Sequence, residues 1–94
     1  MYKIAFFKNN KEVLINDNEI TYLKEELTIK KENPKNIITL DFKNKRCELK
    51  IEDMIFEIPI ISMSFEKHPK KTFFYYTLIS EPEIINTIII YQKR

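Results

Sequence analysis

The sequence predicts a mainly β protein: a small antiparallel meander or barrel of about seven strands that ends in an amphipathic helix. Along most of the chain, apolar residues alternate with polar ones, which is the period of a half-buried strand. Turn-forming residues interrupt this alternation about every six to ten positions. The last segment, Ser80 to Arg94, instead spaces its apolar residues as a helix does.

The chain length allows one domain, which we expect to cover residues 1–94. A chain of 94 residues buries roughly 60–65% of its unfolded surface, enough for one modest core. Its hydrophobic content of 44% is typical of a globular protein rather than a disordered one. The short apolar run at the N-terminus does not resemble a signal peptide, and no stretch approaches the ~20 apolar residues of a membrane span. We therefore expect a cytoplasmic protein.

The composition excludes several classes of catalytic site. The chain has no glycine, so glycine-rich phosphate loops and glycine-flanked nucleophiles are absent. Its single cysteine, Cys47, lies at an inward strand position and is interpreted as a small buried hydrophobe. Its single histidine, His68, lies in a predicted turn among charged residues and is interpreted as solvated. The sequence thus predicts no catalytic residue, no metal site, no cofactor and no enzymatic activity.

Two hairpins can be placed by matching the apolar faces of neighbouring strands. A turn at Asn9-Asn10 pairs Phe6 with Val13 and Ile4 with Ile15. Asparagine suits this turn because it tolerates a positive φ better than most residues.

A second hairpin, with its loop at Asn44-Lys45, would place Phe42 opposite Cys47, and Leu40 opposite Leu49. Farther along the chain, the apolar positions change parity near Pro59, which predicts a bulge or kink there.

The C-terminal segment begins with a serine cap, a proline in the first turn and a glutamate three residues after the serine. Its isoleucines are poor helix formers, so local terms nearly cancel and packing decides between helix and strand. A run of strands closed by the Ser80–Arg94 helix resembles the element order of pleckstrin-homology-like small barrels, which implies a helix plugging one open end. The alternative is an all-β sandwich in which the C-terminus forms an edge strand.

A basic rim is the first candidate binding surface. In a strict meander, alternate turns lie at the same end of the sheet, which would bring basic side chains from three turns together. Such a rim would attract phosphates of single-stranded nucleic acid, an acidic lipid headgroup or an acidic protein. Lysine supplies most of the basic residues, a bias that an AT-rich coding sequence also produces. The rim comprises Lys8, Lys11, Lys43, Lys45, Arg46, Lys67, Lys70 and Lys71.

A second candidate surface lies on the strand Phe73 to Ile79, which is apolar on both faces. Outward-facing Phe73 and Tyr75, with Ile79, would form a protein contact, because aromatic residues dominate such anchors. The leading functional hypothesis is a non-enzymatic protein-interaction domain, including a homodimer. The alternatives are a binder of an anionic ligand at the basic rim, and an accessory or inhibitor protein of a phage or mobile element.

Overall fold

A computed structural model of the chain describes residues 2–14 and 19–92, and folds them into ten strands in two antiparallel sheets, with no helix in that part of the chain. In chain order the strands are β1 (Tyr2–Lys8), β2 (Lys11–Val13), β3 (Ile20–Glu25), β4 (Thr28–Glu32), β5 (Ile37–Asp41), β6 (Arg46–Ile51), β7 (Met54–Glu57), β8 (Ile60–Lys67), β9 (Lys71–Leu78) and β10 (Asn86–Gln92).

The two sheets face each other across one hydrophobic core. The first sheet has the strand order β2-β1-β10-β9-β8, and the second has the order β3-β4-β5-β6-β7. Phe74 and Ile88 from the first sheet belong to the same buried cluster as Ile29 and Phe42 from the second. The ring centroids of Phe42 and Phe74 are 4.8 Å apart, so aromatic packing joins the two layers directly.

A bent strand connects the sheets. The backbone N–H of Ile58 donates to the carbonyl of Cys47 (2.8 Å), which continues the pairing of β7 with β6. One residue later the Pro59 carbonyl accepts from the N–H of Ile79 (3.2 Å), which begins the pairing of β8 with β9. Proline has no N–H to donate, so it suits the point where the chain leaves one sheet for the other. A register shift between Ile60 and Ser62 follows, and the predicted bulge is confirmed.

The predicted C-terminal helix is wrong, and with it the likeness to pleckstrin-homology-like barrels. Residues 80–83 form turns, and Asn86–Gln92 is strand β10, which lies between β1 and β9. Ile88 and Ile90 face the core, while Ile89 is buried on the opposite face of the sheet. A strand covered on both sides favours a run of β-branched residues, and packing outweighs the helix-start signals at Ser80. The all-β alternative is therefore correct in class, but its edge placement of this strand is wrong.

The β5–β6 hairpin keeps its predicted faces but not its predicted register. Leu40 pairs with Cys47, so the loop contains four residues, 42–45, rather than two. The Asp41 carboxylate accepts hydrogen bonds from the N–H groups of Lys43 and Asn44 and from the Asn44 amide, and Lys45 takes a φ of 56°. A slip of two residues preserves which side chains face inward, because strand side chains alternate with period two.

These hydrogen bonds also affect the pKa of the Asp41 carboxyl. Burial alone would raise the pKa of the Asp41 carboxyl. The hydrogen bonds from Asn44 and Lys43, together with the charge of Arg46, outweigh burial and lower this pKa below its ordinary value.

The β1–β2 hairpin follows its predicted register. Phe6 pairs with Val13, and both Asn9 and Asn10 have positive φ angles, 48° and 69°. The predicted partner of Ile4, Ile15, lies outside the described residues. On its other side β1 pairs with β10, which makes β1 an interior strand of the first sheet.

Candidate interaction surface

The inner face of the second sheet continues past the core into solvent. Along β6, the inward-facing side chains are Cys47, Leu49 and Ile51, and their exposure rises from 2% at Cys47 to 40% at Ile51. Ile51 pairs with Met54, and Leu49 pairs with Phe56, so the same apolar face extends onto β7. We call Ile51, Met54 and Phe56 the apolar end; all three are exposed.

Strand β7 forms the border of this surface and is an edge strand. All four of its residues are exposed, and Ile55, on the outer face, is 63% exposed. The Ile58 N–H points toward β6, where it bonds to Cys47. Because N–H groups alternate sides along a strand, those of Met54 and Phe56 also point toward β6. The N–H and C=O groups of Ile55 and Glu57 therefore point away from the sheet, where no described strand pairs with them.

Acidic residues flank this edge. Glu52 and Asp53 form the turn before β7, and Glu57 ends the strand. Arg46 lies across from Glu57, with 3.9 Å between its Nε and the carboxylate, and also contacts Glu48 at 3.7 Å. Both pairs are largely exposed and contribute little to stability.

Two of the three predicted contact residues lie together, and the third is elsewhere. Phe73 and Tyr75 are half-buried on the outer face of the first sheet, where their rings are nearly parallel (9°) with centroids 6.2 Å apart. Ile89 lies on the same face of the sheet, on the neighbouring strand β10, where it pairs with Phe73 on one side and with Ala5 of β1 on the other. Ile79 is exposed after the end of β9, beside the Pro59 bend.

The eight predicted rim residues do not form one rim. Lys8 pairs with Lys11 at the end of the first sheet where the β9–β10 loop also lies. Lys71 pairs with Tyr91, and the Lys70 carbonyl accepts from the N–H of Gln92, which places the β8–β9 turn at the opposite end of that sheet.

The turn-parity argument fails because the chain is not a strict meander. Strands β2 and β3 follow each other in sequence, yet they are edges of different sheets, and β1 pairs with β10. The β3–β4 turn links the remaining basic residues: its Glu26 pairs with Lys67, and its Leu27 carbonyl accepts from the N–H of Phe42, next to Lys43. Anion binding by Lys43, Lys45, Lys70 and Lys71 stays a prediction, but it no longer involves all eight residues of the predicted rim.

Cys47 and His68 occupy very different settings. Burial, aided by the charge of Glu48, raises the pKa of the Cys47 thiol to about 11, so the thiol is protonated at neutral pH. His68 is exposed, with its Nε2 3.2 Å from the Glu66 carboxylate and its ring edge-on to Phe73. Among residues 2–14 and 19–92, no three His, Cys, Asp or Glu side chains cluster closely enough to hold a metal ion.

Sequence reasoning missed the surface around β7. The signal was present: Met54, Ile55 and Phe56 are consecutive apolar residues, and Pro59 follows three positions after Phe56. The change of parity predicts a bulge or kink near Pro59, but it does not show that the bend leaves the residues before it at a sheet edge.

Comparison with known proteins gives no match to a family model, a curated protein or a solved structure. The described residues also contain no helix of the length and apolarity needed to cross a bilayer.

Proposed function

We propose that this chain is a non-enzymatic protein-interaction domain that binds another protein along β7 and the apolar end. The observation that carries the proposal is the edge strand β7, whose apolar side chains and outward backbone groups are both exposed. Natural proteins usually protect such an edge with charges, prolines or a covering segment, because it pairs readily with another chain. A partner strand added here would satisfy the backbone and bury the apolar side chains together.

The magnitudes favour strand addition over contact between side chains alone. Burying the exposed parts of Ile51, Met54, Ile55 and Phe56 stabilises a complex by roughly 1–2 kcal/mol per side chain. Association costs at least about 4 kcal/mol in lost translational and rotational freedom. The gain from burial exceeds the cost of association by only a small amount, so the backbone hydrogen bonds of Ile55 and Glu57 are needed to give a specific complex.

The charges around the edge favour a partner with basic residues beside an apolar strand. Two β7 strands paired antiparallel would bring Glu57 of one copy near Asp53 of the other, and like charges across a strand pair are destabilising. An extended segment with lysine or arginine on either side of its apolar residues meets Glu52, Asp53 and Glu57 with opposite charge.

Amide hydrogen exchange tests the proposal residue by residue. In the free protein, the outward amides of Ile55 and Glu57 should exchange fast, whereas those of Met54 and Phe56 should be protected by β6. A synthetic peptide with lysines on both sides of a five-residue valine-isoleucine run should slow exchange at Ile55 and Glu57 without changing it at Met54.

A matched pair of variants identifies the edge. Ile55→Lys should abolish this protection, because a charge on an edge strand opposes pairing. Ile20→Lys, at a similarly exposed position on β3 at the other edge of the same sheet, should leave it intact. A mass that doubles with concentration in light scattering would identify a second copy as the partner. A monomer whose Ile55 and Glu57 amides gain no protection from the peptide would refute the proposal.

A further inference from the structure

A concavity of about 500 Å³ lies on the outer face of the first sheet, away from β7. Its floor is formed by β8, β9 and β10, where Ser62 pairs with Thr77, and Tyr75 pairs with Thr87. Its walls are the β1–β2 turn and the end of the β9–β10 loop. The lining residues are Asn9, Asn10, Ser62, Tyr75, Thr77, Ile85 and Thr87. A volume of this size falls within the range of small-molecule sites.

The walls are held in place by hydrogen bonds. The backbone N–H of Asn9 donates to the Ile85 carbonyl (3.0 Å), and the Ile85 N–H donates to the Asn9 side-chain oxygen (2.8 Å). The Asn9 amide nitrogen donates to the Glu83 carbonyl (3.2 Å). The loop and the turn therefore form a fixed rim, and a ligand would lose little free energy in ordering it.

The lining is neutral, although 32% of the chain is charged. It consists of hydroxyl and amide side chains, one tyrosine ring and one isoleucine. Thr77 is only 8% exposed, and its hydroxyl makes no hydrogen bond to any described residue. The hydroxyls of Ser62 and Thr87 and the amide of Asn10 are likewise free of partners in the described part of the chain. These groups are available to a ligand.

We propose that this concavity binds a neutral polyhydroxylated ligand, a pyranose sugar, through the Tyr75 ring and the hydroxyls of Thr77 and Thr87. A purely apolar ligand would bury the hydroxyls without partners, which is unfavourable. An anionic ligand would find no cation among the lining residues. A pyranose has an apolar C–H face that packs on an aromatic ring and hydroxyls at its rim that exchange hydrogen bonds with threonine, serine and asparagine.

Phe73 lies beside the concavity but is not one of its lining residues. The Phe73 ring lies next to that of Tyr75 on the same face and nearly parallel to it. An oligosaccharide can therefore contact both rings, whereas a monosaccharide in the concavity contacts only Tyr75. Binding should increase with chain length, and Phe73 should contribute only to the longer ligands.

Chemical-shift titration of the full chain tests the site. The probes are glucose, galactose, mannose and N-acetylglucosamine, each as the monosaccharide and as a trisaccharide. We expect at least one trisaccharide to shift the amide signals of Ser62, Tyr75, Thr77 and Thr87, with an affinity above that of its monosaccharide. Thr77→Val keeps the side-chain volume and removes one hydroxyl, so it should weaken binding about three- to tenfold.

Two variants separate a ligand site from a change in folding. Phe73→Ala should weaken trisaccharide binding but leave monosaccharide binding unchanged. Thr39→Val, on the outer face of the second sheet, should leave both unchanged. The proposal fails if no sugar in the panel shifts the lining residues, or if the shifts lie elsewhere on the chain. Binding of oligothymidylate at these residues in place of every sugar would also overturn it and would assign a nucleic-acid surface. None of these outcomes depends on the β7 edge.

Discussion

In the described part of this glycine-free chain, four residues adopt left-handed backbone conformations: Asn9, Asn10, Lys45 and Glu52. Asparagine tolerates this region because its short side chain bonds to nearby backbone groups. Lysine and glutamate lack this advantage, and their Cβ crowds the following carbonyl at a cost of roughly 1–2 kcal/mol per residue. The hairpin turns at Lys45 and Glu52 thus store strain that the surrounding ladders hold in place.

We therefore expect Lys45→Gly to stabilise the protein. Glycine relieves the left-handed strain of about 1–2 kcal/mol and costs about 0.5–1 kcal/mol in chain entropy, which leaves a net gain of up to about 1.5 kcal/mol. Lys43→Gly is the matched control in the same loop, where φ is not positive, and should destabilise. Urea denaturation measures both, and equal effects of the two substitutions would contradict the explanation.

The buried thiol of Cys47 gives a prediction with a defined pH range. Its pKa is about 11 in the folded protein, against about 8.5 for a free cysteine, because burial disfavours the thiolate. The folded state therefore holds this proton more tightly than the unfolded state. The contribution of the Cys47 thiol to the free energy of unfolding is fully present below about pH 8.5 and decreases as the pH rises toward 11.

A thiol reagent measures the same property. At neutral pH, Cys47 should react with an aromatic disulfide only as fast as the protein opens, and immediately in denaturant. In Cys47→Ala, the loss of stability between about pH 8.5 and 11 should be smaller than in the wild type. Rapid reaction of the folded protein at neutral pH would show that the thiol is accessible and would contradict its burial.

At the scale of the element, β10 depends on side chains buried on both faces of the sheet. Ile88→Ala should destabilise the protein by about 2–4 kcal/mol, because it leaves a cavity beside Phe6 and Phe74. Ile85→Ala, at an exposed position three residues earlier, should cost less than about 1 kcal/mol. Thermal or urea unfolding compares them, and similar losses would mean that β10 is not an interior strand.

Local signals predicted much of the individual hairpins. The Asn9-Asn10 turn and the bulge after Pro59 follow from residues within a few positions of each other. The β5–β6 faces were also predictable, but the loop length depended on the hydrogen bonds of Asp41, which favour a four-residue turn. The C-terminal strand was not predictable locally, because its partner β1 lies at the other end of the chain.

At the scale of the whole molecule, the candidate sites were less predictable than the strands. Alternation along one strand places Phe73 and Tyr75 on the same face, but the strand is apolar on both faces, so only the position of the second sheet decides that this face is the outer one. Predicting the basic rim required the correct order of all strands. The chain passes from one sheet to the other between β2 and β3, and this single departure from a meander separates the predicted rim residues. The β7 edge and the concavity by Thr77 both depend on which strands are neighbours, which single-sequence periodicity does not contain.

The pairing of β1 with β10 predicts slow folding. Its partners, such as Phe6 and Ile88, are separated by nearly the full chain, and all other strands lie between them. Folds with such non-local pairing fold in milliseconds to seconds. Stopped-flow refolding followed by tyrosine fluorescence should fall in that range, and Ile88→Ala should refold to a less stable state. Complete refolding within microseconds would show that this pairing does not limit the rate.

On one side of the molecule, the bend at Pro59 joins the two sheets, since backbone hydrogen bonds on either side of the bend pair the chain first with one sheet and then with the other. Along the opposite border, between β2 and β3, no ladder joins the layers in the described part of the chain. Lys31 of the second sheet lies there, with its ammonium 4.9 Å from the ring centroid of Phe6 and 3.6 Å from the Glu19 carboxylate. Among the described residues, side-chain contacts rather than backbone ladders close this border, so we expect the two layers to separate there more readily than at Pro59.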